Sequence, residues 1–143
     1  MKFSILASAA TVVFVAPSAF ACPDGTLQET VNLMVSVGQH GEAVDVDETS
    51  ASIDEHIAAC KDDPYVLKVA ALARSTLADV AEEATDRAKL REQALADFDR
   101  SASLASVGAP SELVMINGQP MMIGFSDTAE LRAALVAALD EDR

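Results

Sequence analysis

The sequence predicts a mainly α-helical domain that ends in a β-hairpin and a closing helix, and three observations support this fold class. Residues 63–104 contain no glycine and, after Pro64, no proline. Their apolar residues recur at intervals of three and four, as on the buried face of a helix. Asn117-Gly118, a dipeptide typical of a tight hairpin turn, separates two short apolar runs. After Asp127, leucines and alanines again recur with helical spacing.

The long helical stretch must fold back on itself. As one straight helix, residues 64–104 would measure about 60 Å at about 1.5 Å per residue, whereas a compact domain of this size has a radius of gyration of about 14 Å. We therefore expect an antiparallel helical hairpin, with its turn in the polar residues 82–86. Asp63 should cap the first helix, and Thr85 or Asp86 should cap the second.

The N-terminal part of the domain is expected to hold two further helices. Residues 26–29, Thr-Leu-Gln-Glu, have the form of a capping box, which predicts a helix that starts at Thr26. The same segment, residues 26–37, also alternates Val and Leu, which favours a strand, so both structures remain open there. The next helix would be capped by Asp47 or Ser50. Its core face would consist of Ile53, Ile57 and Cys60.

The tail that follows has a different composition. Residues 113–116 and 119–123 are predicted to form the two strands of the hairpin, and Pro120 confines the second strand to an edge or a bulge. Ser126 or Asp127 should cap the last helix. Because that helix ends in acidic residues, which oppose the helix dipole, we expect its last turn to fray. Its buried face would consist of Leu131, Ala134, Leu135, Ala138 and Leu139.

Residues 1–21 are predicted to form a signal peptide that is cleaved after Ala21. Lys2 supplies the positive start, residues 5–15 the apolar run, and Ala19 with Ala21 the small residues that signal peptidase requires. The apolar run is shorter than the roughly 20 residues that span a bilayer. We therefore place the protein in the bacterial envelope, in the periplasm, or secreted, with no stable membrane insertion after cleavage.

The remaining residues, 22–143, are long enough for one domain with a modest core. Within this single domain, residues 22–107 are expected to form a helical array and residues 108–143 a ββα tail. The chain therefore divides into a cleaved leader and one folding unit.

Cys22 and Cys60 are the two cysteines of the chain. Because exported proteins meet an oxidising compartment, we expect one disulfide bond, worth about 4 kcal/mol in the chain-entropy description. A lipid-modified Cys22 is the alternative, since this residue directly follows the predicted cleavage site. Bulky Phe20 stands where the lipoprotein signal usually has a small residue, so we prefer the disulfide.

The formal net charge of −13 argues against one class of partner and favours another. With 10 Lys and Arg residues against 23 Asp and Glu, and no basic cluster, neither nucleic acid nor an anionic membrane surface is an expected partner. A protein or peptide is expected instead, and a basic one would match the charge. The same charge also contributes to solubility. The sequence leaves the oligomeric state open.

Ala94, Phe98 and Ser101 follow the small–aromatic–small pattern of a second repeat helix, and residues 62–65 are similar to a loop between repeats. On these residues, the segment 27–104 resembles a degenerate array of the tetratricopeptide family. Its spacing is irregular, and the long helical pair exceeds one repeat unit of about 34 residues. The resemblance implies antiparallel helical hairpins and a groove that binds protein or peptide, but it assigns no particular binding residue.

Pro110 before the first predicted strand, Asn117-Gly118 at the turn and Gly124 before the last helix are arranged as in the closing segment of the thioredoxin family. The tail resembles that family over these residues. The resemblance implies an alternative fold, an α+β thioredoxin-like domain, and an alternative function, a redox accessory protein. The family's Cys-x-x-Cys motif is missing, because the two cysteines lie far apart in the sequence.

Candidate metal ligands are few and irregularly spaced. None has the spacing of a known zinc or calcium site, and Met is also an ordinary core residue, so an envelope metal-binding protein is only a second alternative function. No GxSxG, HExxH or phosphate-loop motif occurs. The leading expectation is therefore an exported helical protein-interaction module that is not an enzyme and has no cofactor or metal site. The candidate ligands are Asp45, Asp47 and Glu48, the histidines His40 and His56, and the methionines Met115, Met121 and Met122.

Overall fold

A computed structural model describes residues 22–105 and 108–142, and it shows a mainly α-helical protein with a C-terminal ββα unit. The predicted fold class is therefore confirmed, whereas the predicted signal peptide, residues 1–21, lies outside the described residues. In the described ranges no helix is both long enough and apolar enough to cross a membrane. The elements are α1 (Thr26–His40), a short 3₁₀ turn (Gly41–Ala43), α2 (Val46–Ala59), α3 (Pro64–Val80), α4 (Ala84–Leu104), β1 (Glu112–Ile116), β2 (Gln119–Ile123) and α5 (Thr128–Glu141).

Helix α3 lies at the centre of the core. It packs against α1, α2 and α4, and ten of its 17 residues are buried, so most of its circumference is covered. Three apolar clusters meet on it. One around Leu77 includes residues of α1, α2 and α4, one around Ala71 includes α4 and α5, and one around Val69 includes α1 and the hairpin. Helices α1, α2 and α4 pack directly against α3, whereas α5 packs on α4 and the hairpin on α1.

Helices α3 and α4 form the antiparallel hairpin that the length argument predicts. Asp63 caps α3, and Pro64 follows at its first position. The Ser101 hydroxyl donates to the Pro64 carbonyl at 2.5 Å, which places the end of α4 beside the start of α3. Ala94 and Phe98, which belong to the tetratricopeptide-like pattern together with Ser101, are also buried. The pattern therefore marks the face by which α4 contacts its neighbours in the core.

The predicted N-cap of α4 is wrong. The helix begins at Ala84 without a side-chain cap, rather than after Thr85 or Asp86. Arg87 explains the early start, because its guanidinium donates to two carbonyls of the preceding turn at 3.0 and 2.7 Å. These bonds hold the connection between α3 and α4 in place of a capping side chain.

Residues 26–37 are helical, which decides the open choice between helix and strand. Helix α1 has Gly25 at its N-cap position, with φ 87° and no side-chain cap. The predicted capping box at residues 26–29 is wrong, because the Thr26 hydroxyl donates to the carbonyl of Pro23 at 2.9 Å instead of accepting from the helix. The left-handed conformation at the glycine starts the helix here.

Helix α2 begins earlier than predicted. Asp45, rather than Asp47 or Ser50, is its N-cap and accepts a backbone N–H of the first turn at 3.0 Å. Two residues of the predicted core face, Ile53 and Cys60, are buried. The buried face of α2 was therefore predicted correctly, whereas its first residue was predicted too late in the sequence.

A disulfide bond joins Cys22 to Cys60, as predicted. It connects the segment before α1 to the residue at the C-cap of α2, which lies just before the Asp63 cap of α3. The separation of 38 residues makes the bond a long-range cross-link. It holds the beginning of α1 close to the base of the central helix.

A buried charge cluster joins α2, α3 and α4. The Arg74 side chain is 4% exposed and donates to Asp97 at 2.8 Å and to Asp54 at 2.5 Å. Burial raises the pKa of Asp97, against the opposing effect of the Arg74 guanidinium. Because desolvation offsets much of the attraction within a buried ion pair, we interpret the cluster as fixing how the three helices are oriented.

The alternative of an α+β thioredoxin-like fold is wrong for the described residues. Four helices precede the hairpin, and the sheet in these ranges has two strands, β1 and β2. The resemblance of the tail to the end of that family is thus limited to one ββα unit, which packs on a helical core.

The core position of Leu77 predicts a large loss of stability on truncation. Leu77 is fully buried, whereas Leu113 in β1 is 62% exposed. We expect Leu77→Ala to lower the free energy of unfolding by about 3 kcal/mol, since it leaves a cavity, and the matched Leu113→Ala to change it by less than about 0.5 kcal/mol. Urea titration followed by circular dichroism measures both. Equal losses in the two variants would contradict this description of the core.

Candidate functional site

The hairpin carries apolar side chains on both of its faces. Its register pairs Leu113 with Met122, Val114 with Met121, and Met115 with Pro120. Successive side chains of a strand point to opposite faces, and Val114 is buried against the helices. The face on the other side of the sheet therefore contains Leu113, Met115, Pro120 and Met122, and we call it the outer face.

The outer face is exposed. Leu113 is 62% exposed, Met122 60% and Met115 44%, and Pro120 is also exposed. Within the described ranges, no helix or further strand covers these side chains. Exposed single hydrophobic residues are ordinary on protein surfaces, but a contiguous apolar patch on one face usually marks an interaction site.

The turn and two glutamines of α1 hold the hairpin in place. Asn117 (φ 50°) and Gly118 (φ 76°) adopt the positive φ angles of a type I′ turn, as predicted. The Gln28 amide bonds the backbone of Met115 twice, donating to its carbonyl and accepting its N–H, both at 2.8 Å. Gln39 donates to the Asn117 side chain at 2.8 Å. The hairpin is thus fixed to α1 along the edge of β1.

A groove of about 430 Å³ lies on the other side of the sheet, between β2 and the helices. We call it the hairpin groove. Its walls are mainly apolar, whereas one end is polar, with Lys68, Ser111, Ser126 and Asp127. The volume lies within the range of about 300–1,000 Å³ that is usual for ligand pockets. The apolar lining consists of Met34, Val69, Leu72, Ile116, Met121, Met122 and Ile123.

Lys68 closes the polar end of the hairpin groove. Its side chain is 6% exposed, and its ammonium donates to Asp127 at 2.6 Å and to the carbonyl of Gly124. The same ammonium lies 5.6 Å from the centre of the Phe125 ring. Because Asp127 neutralises the lysine, the polar end offers hydrogen-bonding groups without a net charge, and the end of β2 is fixed to α3.

Tyr65 fixes the same open end of the hairpin as Lys68, but at the start of β1 instead of the end of β2. Its hydroxyl donates to the carbonyl of Pro110, and its ring lies 5.1 Å from that of Phe125. Burial, followed by the charges of Glu112 and Asp63, raises the pKa of Tyr65. The phenol therefore keeps the proton that it donates, and the chain entering β1 is tied to the start of α3.

The surface charge is strongly unbalanced. Six of the 10 Lys and Arg side chains are engaged in internal ion pairs, which use seven of the 23 Asp and Glu residues. Most carboxylates of the described chain thus lie outside any ion pair, and the exposed surface is anionic. The paired cations are Lys68, Arg74, Arg87, Arg91, Arg100 and Arg132.

The predicted metal candidates do not converge. Among the described residues no three His, Cys, Asp or Glu side chains form a group that could hold a metal ion. Asp45 caps α2, and His56 Nδ1 lies 3.0 Å from the Thr30 hydroxyl. Met115 and Met122 lie on the outer face, whereas Met121 lies on the opposite face, and both Met121 and Met122 contribute to the lining of the groove. The methionines were singled out from the sequence as possible metal ligands or, in preference, as ordinary residues of cores and interfaces, and no shared surface was predicted for them.

Comparison with known proteins assigns this chain to no family. No protein-family model matches the chain, and neither a curated protein nor a solved structure matches it. The resemblances to the tetratricopeptide and thioredoxin families therefore rest on the residues quoted above. The site is defined by its geometry alone.

The two hydrogen bonds between the Gln28 side chain and the Met115 backbone predict a local change in amide hydrogen exchange. We expect Gln28→Ala to accelerate exchange of the Met115 amide about fivefold, because one net hydrogen bond is worth about 1 kcal/mol. Gln39→Ala, which removes the contact to Asn117 and leaves Met115 untouched, is the matched control. Amide exchange measured by NMR reports both, and an unchanged Met115 rate in Gln28→Ala would contradict the assigned contact.

The disulfide predicts the behaviour of both thiols. The folded protein should give no reaction with a thiol reagent before reduction, because Cys22 and Cys60 are bonded to each other. Reduction should lower the free energy of unfolding by about 4 kcal/mol, and the Cys22→Ser/Cys60→Ser variant should show the same loss without reductant. One reactive thiol per native chain would instead support a lipid-modified Cys22, which leaves Cys60 free.

Proposed function

We propose that this protein is an exported helical protein-interaction module without a catalytic site of its own, and that it binds a protein or peptide through the hairpin. The observation that carries the proposal is the outer face. Leu113, Met115 and Met122 expose large apolar side chains on an element that is firmly tied to the helices. A surface of this kind gains free energy when a partner removes it from water.

The composition of the surface suits binding to another polypeptide. Methionine side chains are flexible and polarisable and adapt to irregular partners. Met115 and Met122 lie on the outer face, and Met121 continues the apolar surface into the groove. A partner that contacts the hairpin can therefore bury side chains from both faces.

The charge of the protein selects among partners. Because most of its carboxylates lie outside internal ion pairs, a basic segment would be attracted and an acidic one repelled. The formal charge of −13 also disfavours nucleic acid. We therefore infer a protein or peptide partner with Lys or Arg near its apolar contact residues.

The cellular location follows from the predicted signal peptide and is compatible with the disulfide. Disulfides persist in oxidising compartments such as the periplasm and the extracellular space. We propose that the mature domain works there, in the bacterial envelope or after secretion.

Site-specific photo-cross-linking tests this proposal. A benzophenone amino acid at position 113 should give a covalent adduct in cells that export the protein, and Met122→Asp should abolish the adduct by placing a charge on the outer face. The same probe at position 133, which is exposed on α5, is the control and should give none. Adducts of equal yield from both positions, or none from position 113, would contradict a binding role for the hairpin.

A further inference from the structure

We propose that the free edge of β2 receives an extended peptide strand, which converts the hairpin into a three-stranded sheet and places alternate side chains in the hairpin groove. The occupant is a partner segment with alternating apolar residues, flanked by Lys or Arg. This inference rests on the proposed binding function and specifies its mode. Addition of a strand to an exposed sheet edge is a common way in which proteins recognise peptides.

The hydrogen-bond pattern shows which backbone groups of the hairpin are open. Met115 forms both of its backbone bonds with Gln28, so its pair with Pro120 exchanges no bonds within the sheet. Such pairs alternate with bonded pairs in an antiparallel ladder. The pair of Leu113 and Met122 is two positions further along and therefore of the same kind. The N–H and C=O of Met122 thus point away from β1.

The edge of β2 is open but short. No strand of the described residues lies along it. At one end the carbonyl of Gly124 is occupied by Lys68, and at the other end Pro120 has no N–H to offer. The open groups are therefore the C=O of Pro120 and both backbone groups of Met122. So short an edge is protected from indiscriminate pairing, and a partner needs side-chain contacts as well.

The two faces beside this edge supply those contacts. Side chains of an added strand would point alternately to the outer face and to the inner face. On the inner side they would enter the hairpin groove beside Val69 and Leu72 of α3, and on the outer side they would contact Met122. A two-stranded sheet is marginal on its own, so a third strand that fills the groove would also stabilise the hairpin.

Charge identifies the occupant as a basic partner rather than a second copy of the chain. Each copy carries a formal charge of −13, and most of its cations are already paired internally. Two copies that met edge to edge would therefore repel each other. A strand flanked by Lys or Arg would instead be attracted to the exposed carboxylates.

The test uses a defined peptide. The probe is an acetylated, amidated peptide with Val and Thr alternating over five central positions and two Lys at each end, labelled with a fluorophore. Binding to the disulfide-intact protein is followed by fluorescence anisotropy. We expect saturable binding, and at least a tenfold loss when the central Val is N-methylated, because the methyl group removes a backbone donor and keeps the side chain.

Two substitutions at one position separate the edge from the side chain. Met122→Pro removes the open N–H of β2 and should weaken binding at least tenfold, whereas Met122→Ala keeps that N–H and should weaken it about twofold to threefold. Circular dichroism of each variant verifies folding. The N-methylated peptide gives the same information without any change to the protein, so the test does not depend on the proline variant.

The outcomes distinguish this inference from the proposed function. Equal binding of the methylated and unmethylated peptides, or no binding of either, overturns strand addition by a basic partner. If the adduct from position 113 persists in that case, the proposed binding function stands. A concentration-dependent dimer in sedimentation that Met122→Pro abolishes would show that a second copy occupies the edge, and it would also overturn the inference.

Discussion

The burial of α3 on nearly all sides is the constraint on which the rest of the structure depends. A helix surrounded in this way requires every neighbour to present an apolar face to it, and α1, α2 and α4 do so, while Val114 of the hairpin joins the apolar cluster of Val31 and Val69. Each of these helices has one apolar stripe, and that stripe is buried against α3. The hairpin differs, because its two faces are both apolar and only the face with Val114 can reach the core. The exposed outer face is the part that this core leaves uncovered.

Two buried cations on α3 give this packing its orientation. Apolar contacts are not directional, whereas a hydrogen-bonded ion pair requires a defined geometry. Arg74 links α3 to α2 and α4 through two carboxylates. Lys68 links it to the end of β2 and the start of α5. The position of the hairpin relative to the helices, and with it the groove, depends on the second of these contacts.

Sequence reasoning recovered the elements of the fold but not the contacts that join them. The turn between α3 and α4 and the type I′ turn follow from local rules of length and composition, so both were predictable. The caps of α1, α2 and α4 were not, because several adjacent polar residues can serve and tertiary contacts such as those of Arg87 decide among them. The last helix was expected to fray, yet Asp142 accepts a hydrogen bond from Arg91 of α4 at 2.7 Å.

Most of the candidate site could not be predicted from the sequence either, because tertiary contacts between residues far apart in the chain build it. Gln28 and Met115 are 87 residues apart, and no spacing rule connects them. Lys68 lies in a helix where a lysine is usually solvated, and only the fold shows that it is buried. The methionines and the Asn117-Gly118 turn were visible in the sequence, and they place the site on the hairpin. Their meaning as a surface required the register of the two strands.

The bonds from Gln28 to the backbone of Met115 also restrict how the hairpins of two chains could join. They occupy the outward-pointing N–H and C=O of Met115, in the middle of β1, with a side chain of the same molecule. Propagation from chain to chain into an open-ended fibril requires that both edges of each sheet pair with a neighbour. Because the middle of β1 is occupied in this way, β2 of one chain cannot form a continuous ladder with β1 of the next, and head-to-tail growth through the hairpins is disfavoured.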